Sequence, residues 1–160
     1  MRVFGVDPGF GRLGYAFVER SQGLLKPIAY GLIETHKSTP LPQRLQEIHL
    51  KICELVSEFQ PDCIATEALL FAANRTTAFD VSKALGVVLL ASAELKLPWC
   101  EYTPPQVKLT VTGSGVADKK QVQFMVTRLL NLRETPRPDD VADALAVAIC
   151  HSLCARAHAL

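Results

Sequence analysis

The segment Arg2 to Val18, RVFGVDPGFGRLGYAFV, constrains this chain more than any other. Val3, Phe4 and Val6 make a short apolar run of strand formers. Such a run reads as a strand buried on both faces. Asp7 closes it, and Pro8, Gly9, Gly11 and Gly14 interrupt regular structure before strand character returns at Tyr15–Val18. The expectation is a hairpin whose first strand carries one carboxylate to its C-terminal end. Asp-Pro-Gly is also a common turn, in which the aspartate bonds its own backbone. Alone, the segment leaves turn chemistry and catalysis both open.

The remaining segments set the frame around it. Lys26–Thr35 reads as a third strand, so three strands joined by short loops form an antiparallel meander. Leu41, Leu45, Ile48, Ile52, Leu55, Val56 and Phe59 follow helical spacing, with Pro42 in the first turn and Pro61 beyond the end. His49 lies near that apolar stripe and reads as structural. Asp62–Thr66 is a short buried-type strand with Glu67 at its end, which repeats the opening pattern of strand then carboxylate. A helix follows over Asn74–Leu95, then a strand at Trp99–Thr103, a helical segment from Pro104 to about Val111, a glycine-bearing loop, and a helix from Lys119 to about Leu130. Asp118 with Gln121 matches a capping box for that helix. A last helix is expected from near Pro138 to about Ala155. Helix followed by buried strand, twice, implies right-handed crossovers and parallel pairing. The expected fold is α/β: a five-stranded mixed sheet with helices on both faces.

Composition narrows the class. With 160 residues and 49% hydrophobic residues, the chain is expected to form one domain, 1–160, with its own core. No secretory leader is expected. The longest apolar run, Ala84–Ala93, is too short to span a bilayer, so a cytoplasmic protein with no membrane role is expected. From Ala84 to Ala93 the helix is apolar all round, so several of its faces should be buried. Ala78, Ser82 and Gly86 recur four apart, which admits a second backbone, and one face could meet a second subunit. The five cysteines include no CxxC pair and read as reduced thiols. Net charge is only +1, yet residues 75–137 hold 9 Lys/Arg against 5 Asp/Glu. A polyanion could bind one face.

Asp139, Asp140 and Asp143 open the final helix. Acids there favour the helix dipole. That explains Asp139 well and Asp140 moderately, but Asp143 poorly, because it stands in the apolar run VADALAVAI. An aspartate on an apolar face needs a partner, and a metal ion is one. Two carboxylates that end strands and two that share a helical face suit hard divalent ions such as Mg²⁺ or Mn²⁺.

The blocks GVDPGFGRLGY, ATEALLFAAN, QVKLTVTGSGVADKKQVQ and DDVADALAVAICH, in this order and over nearly the whole chain, closely resemble the RuvC Holliday-junction resolvases. The resemblance implies a ribonuclease H-like fold, a homodimer, and a Mg²⁺-dependent endonuclease that cuts two strands of a four-way DNA junction in recombination and repair. It implies two ions per site, with Mn²⁺ as a substitute, and an acidic site of Asp7, Glu67, Asp140 and Asp143. Some relatives carry histidine at the position matching Asp140, and Asp139 is an acid the pattern does not require. The resemblance also places Lys108 and Lys119 near the DNA backbone. Lys119 and Lys120 sit at a helix N-terminus, where positive charge is unfavourable unless a phosphate approaches. Arg75 and Lys83 are further candidates on the helix after Glu67. Many relatives stack an aromatic side chain on the junction centre just after the catalytic glutamate. Leu70 occupies that slot here and Phe71 follows it, so Phe71 could serve, the wedge could be aliphatic, or Phe71 could belong to the core. A RuvA–RuvB branch-migration complex is the partner the resemblance implies.

Two rivals stand beside this reading. Asp-x-Gly-x-Gly after a first strand also resembles the phosphate hairpin of actin-like ATPases and sugar kinases, but those need two such domains. A non-catalytic DNA-binding module on the same fold would have no need of four carboxylates.

Overall fold

The computed structural model describes residues 1–69 and 75–155, the side chains of residues 75–78 excepted. Three strands open the chain: β1 (Arg2–Asp7), β2 (Arg12–Ser21) and β3 (Leu24–Glu34). Helix α1 (Leu41–Phe59) leads to β4 (Cys63–Glu67), and α2 (Arg75–Glu94) leads to β5 (Trp99–Tyr102). Helices α3 (Pro104–Thr112), α4 (Lys119–Leu129) and α5 (Asp139–Cys154) finish it. The sheet order is β3-β2-β1-β4-β5. β1, β2 and β3 pair antiparallel, while β4 joins β1, and β5 joins β4, in parallel. This is the expected mixed sheet.

Strand alternation divides the core into two layers. Val3, Ala16, Val18, Cys63 and Ala65 pack against α3, α4 and α5. Phe4, Val6, Phe17 and Ile64 face the other way, onto Ile48 and Ile52 of α1 and Ala84 and Val88 of α2. Phe4 and Phe17 stack there with ring centroids 4.4 Å apart. Each such side chain contributes roughly 1.5–3 kcal/mol by leaving water.

Most expected ends fall within two residues of the observed ones. β3 starts at Leu24 and not Lys26, because Gln22 (φ 51°) and Gly23 (φ 84°) make a two-residue turn that lets both strands run up to it. The Asp118–Gln121 capping box is present. All five cysteines are free. His49 has the structural place expected of it: its Nε2 lies 2.7 Å from a Glu94 carboxylate oxygen and ties α1 to the end of α2.

Within the single chain, α2 buries the face along Ala84, Val88 and Ala91. The opposite side leaves Phe79 64% and Leu90 53% exposed, and nothing stands within 4 Å of a Cβ built on Gly86. The sheet and α1 cover the buried face, and no other described element covers the rest.

Candidate active site

The two strand-end acids are brought together by register. Val6 pairs with Thr66, so the next residues, Asp7 and Glu67, end neighbouring parallel strands. Asp7 also pairs with Gly14 across the hairpin. Helix α5 then lies over β1 and β2 at backbone distance. A Cβ on Gly14 would stand 2.0 Å from the Asp140 carbonyl oxygen, and one on Gly5 would stand 2.4 Å from that of Ala144. Gly14 is therefore needed for close approach and not, as its place among the hairpin glycines suggests, for turning the chain. This docking carries Asp140 and Asp143 to the end of β1.

Electrostatics report the convergence. Asp7 is pushed up to about 8, first by burial and then by the charges of Asp143, Glu67 and Asp140. Burial also raises Glu67, with Asp143 adding to it, while Lys108 and Lys119 pull it back. Asp143 is raised by burial against the opposing pull of Lys119. Among the described residues, no three of these acids close into a ready-made metal cage. An ammonium stands among them: Lys119 Nζ is 3.2 Å from Asp143 and 3.2 Å from Asp139. Asp139 also accepts from Gln123 Nε2 at 2.9 Å, so it belongs to the α4–α5 contact.

Residues 3–151 match the family described as "Crossover junction endodeoxyribonuclease RuvC". The RuvC of Alkaliphilus metalliredigens is 53% identical over 95% of this chain and 93% of its own. The chain belongs to the RuvC family of crossover junction endodeoxyribonucleases. Thermus thermophilus RuvC in complex with a Holliday junction substrate superposes with a TM-score of 0.93 at 36% identity, covering 98% of this chain and 96% of that one. A yeast mitochondrial Holliday junction resolvase, Ydc2, shares the fold at a TM-score of 0.65 and 14% identity, over 93% of this chain and 78% of that one. The architecture is the ribonuclease H-like one expected. Family membership makes this chain a nuclease that hydrolyses DNA phosphodiesters, a resolvase of Holliday junctions in recombination and repair.

Within this RuvC fold, Lys108 and Lys119 line a cavity of about 270 Å³ together with Glu67 and Asp143. Lys120 points elsewhere, into a larger groove. Lys83 is ion-paired to Asp80 at 2.7 Å, an ordinary exposed helix pair. Leu70, Phe71 and the side chain of Arg75 lie outside the described residues.

Three residues escaped the sequence reading. Arg12 approaches Asp140 at 3.8 Å. Its signal was its place at the start of β2, beside the Asp7 hairpin. Gln123 ties Asp139 to α4, and it lies in the QVKLTVTGSGVADKKQVQ block. Arg44 of α1 is buried, donates from Nε to Thr35 Oγ1 at 2.9 Å and from Nη2 to the Phe10 carbonyl at 3.2 Å, and stacks 3.7 Å over the Phe10 ring. It thereby fixes the loop that follows Asp7. A single arginine on an amphipathic helix carries no signal of that role.

Proposed function

We propose that Asp7, Glu67, Asp140 and Asp143 form the catalytic centre of this resolvase and hold Mg²⁺ there, two ions per site, with Mn²⁺ as a substitute. The carrying observation is Asp7, a carboxyl at the end of a buried strand, raised to about 8 by burial and by three like charges. That chemistry fits the group. The donors are all carboxylate oxygens, the set hard divalent ions take, and their mutual repulsion is what a divalent ion relieves. When bound, such ions supply an activated water and neutralise charge developing on the phosphate and on the departing 3′ oxygen.

The chain's own residues do the rest. Asp7, central to the other three acids, would hold the ions together with Glu67, Asp140 and Asp143. Burial raises Asp7, Glu67 and Asp143 and so favours a bound cation beside them. Lys108 and Lys119, on the cavity beside Glu67 and Asp143, hold the phosphates that flank the cut, and Lys120 holds one further along. Phe71, or an aliphatic wedge at Leu70, remains the expected contact at the junction centre, and Arg75 a further DNA contact on the helix after Glu67.

The working unit is a homodimer of two such domains, each 1–160. The uncovered side of α2, with Phe79, Leu90 and Gly86, supplies a self-complementary apolar face. Its place of work is the cytoplasm, with a RuvA–RuvB complex driving branch migration. No helix among the described residues is long and apolar enough to cross a membrane.

A labelled four-way junction incubated with Mg²⁺ or Mn²⁺ tests this reading. Paired nicks on two strands are expected. No nicks with either ion would sink the metal-dependent nuclease, and nicks confined to one strand would sink the dimer.

A further inference from the structure

Among the described residues, a cluster of unpaired basic side chains lies outside the acid cluster. A groove of about 1080 Å³ takes Lys120, Phe124 and Arg128 from α4, and Arg133 and Arg137 from the segment between α4 and α5. Among the described residues, none of these four cations forms an ion pair. The two acids on its wall are already engaged, Asp139 by Lys119 and Gln123, and Asp140 by Arg12 at 3.8 Å. The basic side chains of the groove thus outnumber its acids, and the four named are left to solvent. Phe124 is 56% exposed, and the Arg128 guanidinium lies over its ring at 5.3 Å. That aromatic shelf pre-orients the arginine toward the opening at little entropic cost.

The groove also has a direction. Asp140 stands at its edge, and Asp143, three residues on along the same helix, faces the Glu67–Lys108–Lys119 cavity on the other side. A strand cut between these acids must therefore leave the site along one of these two surfaces. Duplex DNA carries one charge per roughly 1.7 Å of axis, so several phosphates fit along such a groove. We propose that this groove binds the sugar–phosphate backbone of a junction arm as it leaves the catalytic centre. Lys120, Arg128, Arg133 and Arg137 contact phosphates and read no bases, so they set affinity and the angle of the arm but not the cleavage sequence. This surface extends the family's catalytic cleft into a second, arm-holding site, and it rests on the reading that the four acids form the centre.

The test uses the triple variant Arg128→Ala, Arg133→Ala, Arg137→Ala. All three side chains are exposed, so the fold should survive. Junction affinity is measured across a salt series in EDTA, where no strand is cut. With long arms, the variant should bind at least about 10-fold more weakly at low salt. Its log K against log salt slope should be shallower by about two to three, close to 0.9 per lost phosphate contact. With arms trimmed back to the cut sites, the two proteins should bind alike. An unchanged slope and affinity on long arms would overturn the proposal and leave the groove to an acidic protein partner. A loss that persists on trimmed arms would also overturn it, because the arginines would then act at the junction centre. Failure of the unmodified protein to nick a junction would instead strike the catalytic reading.

Discussion

The two sides of the α5 N-terminus carry charge in opposite ways. On one, Glu67 and Asp143 sit in a cavity of about 270 Å³ with Lys108 and Lys119. Burial has pushed both acids up, and Asp7 behind them to about 8. On the other, Lys120, Arg128, Arg133 and Arg137 of the 1080 Å³ groove are exposed and, among the described residues, unpaired. Buried charge is under tension, which a bound cation relieves, so one atom in the wrong place is costly. Exposed charge is screened, acts additively, and tolerates the loss of a member. The same type of substitution should therefore have a large, specific effect on the first side and a graded, salt-dependent one on the second.

The largest effect is expected at Asp7. Asp7→Asn should cut the rate of junction cleavage by roughly 10²–10³-fold or more, while binding in EDTA is retained. A variant that still cuts at the normal rate would place the centre elsewhere. The same substitution tests the tension itself. Between about pH 4 and about pH 8 the folded chain keeps a proton on Asp7 that the unfolded chain releases. Stability of the metal-free protein is therefore full at the acid end of that window and falls as pH rises through it. Asp7→Asn should flatten this fall and raise Tm at pH 8 by several degrees, at about 2–4 °C per kcal/mol for a chain of this size. Thermal melts in EDTA at pH 5 and pH 8 decide it, and parallel pH dependences for the two proteins would refute the buried-charge account.

Gly14 sharpens the contrast in a second way, because it meets α5 at Asp140, where the two sides adjoin. Its Cβ would meet the Asp140 carbonyl at 2.0 Å, a backbone atom that cannot swing aside. Gly14→Ala must lift the start of α5, at a cost of about 1–3 kcal/mol. Displacing Asp140 and Asp143 by even an ångström should slow cutting on the order of 10²-fold. Arm binding depends on α4 and the segment after it, so the salt slope of junction binding should not move. A slope that falls with the rate would show that the two sides are one unit.

This site also marks where the sequence was legible and where it was not. Strand then carboxylate, stated twice, placed Asp7 and Glu67 correctly, because period-two burial and parallel pairing fix the ends of neighbouring strands. The polar break in VADALAVAI marked Asp143, since an apolar helix face makes an unpartnered acid conspicuous. Gly14 was misread as a turn residue, because a sequence shows that a glycine is present but not which backbone comes close to it. Arg44 was invisible for a related reason. Its partners are a carbonyl, a hydroxyl and a ring from other elements, and no pattern along α1 encodes them. The all-apolar run of α2 states that surface needs burial but not by which partner, and the single chain covers only part of it.

Asp139 is the finest probe of the boundary, and the smallest effect belongs to it. It adjoins Asp140 in sequence and shares Lys119 with Asp143, yet its own charge is exposed and held below the usual carboxylate range, chiefly by its hydrogen bonds from Lys119 and Gln123. It lies on the groove side of the divide and acts as a tether for Lys119. Asp139→Asn should leave Lys119 on Asp143 and slow cutting no more than about 2–5-fold, the scale of an exposed charged contact. Asp143→Asn, one helical turn along, should match Asp7→Asn in depth. Single-turnover cleavage of both variants under the same metal is the comparison that matters. If Asp139→Asn proves as inactive as Asp143→Asn, the acid cluster has five members, and burial is not what separates catalytic from merely adjacent carboxylates on this helix.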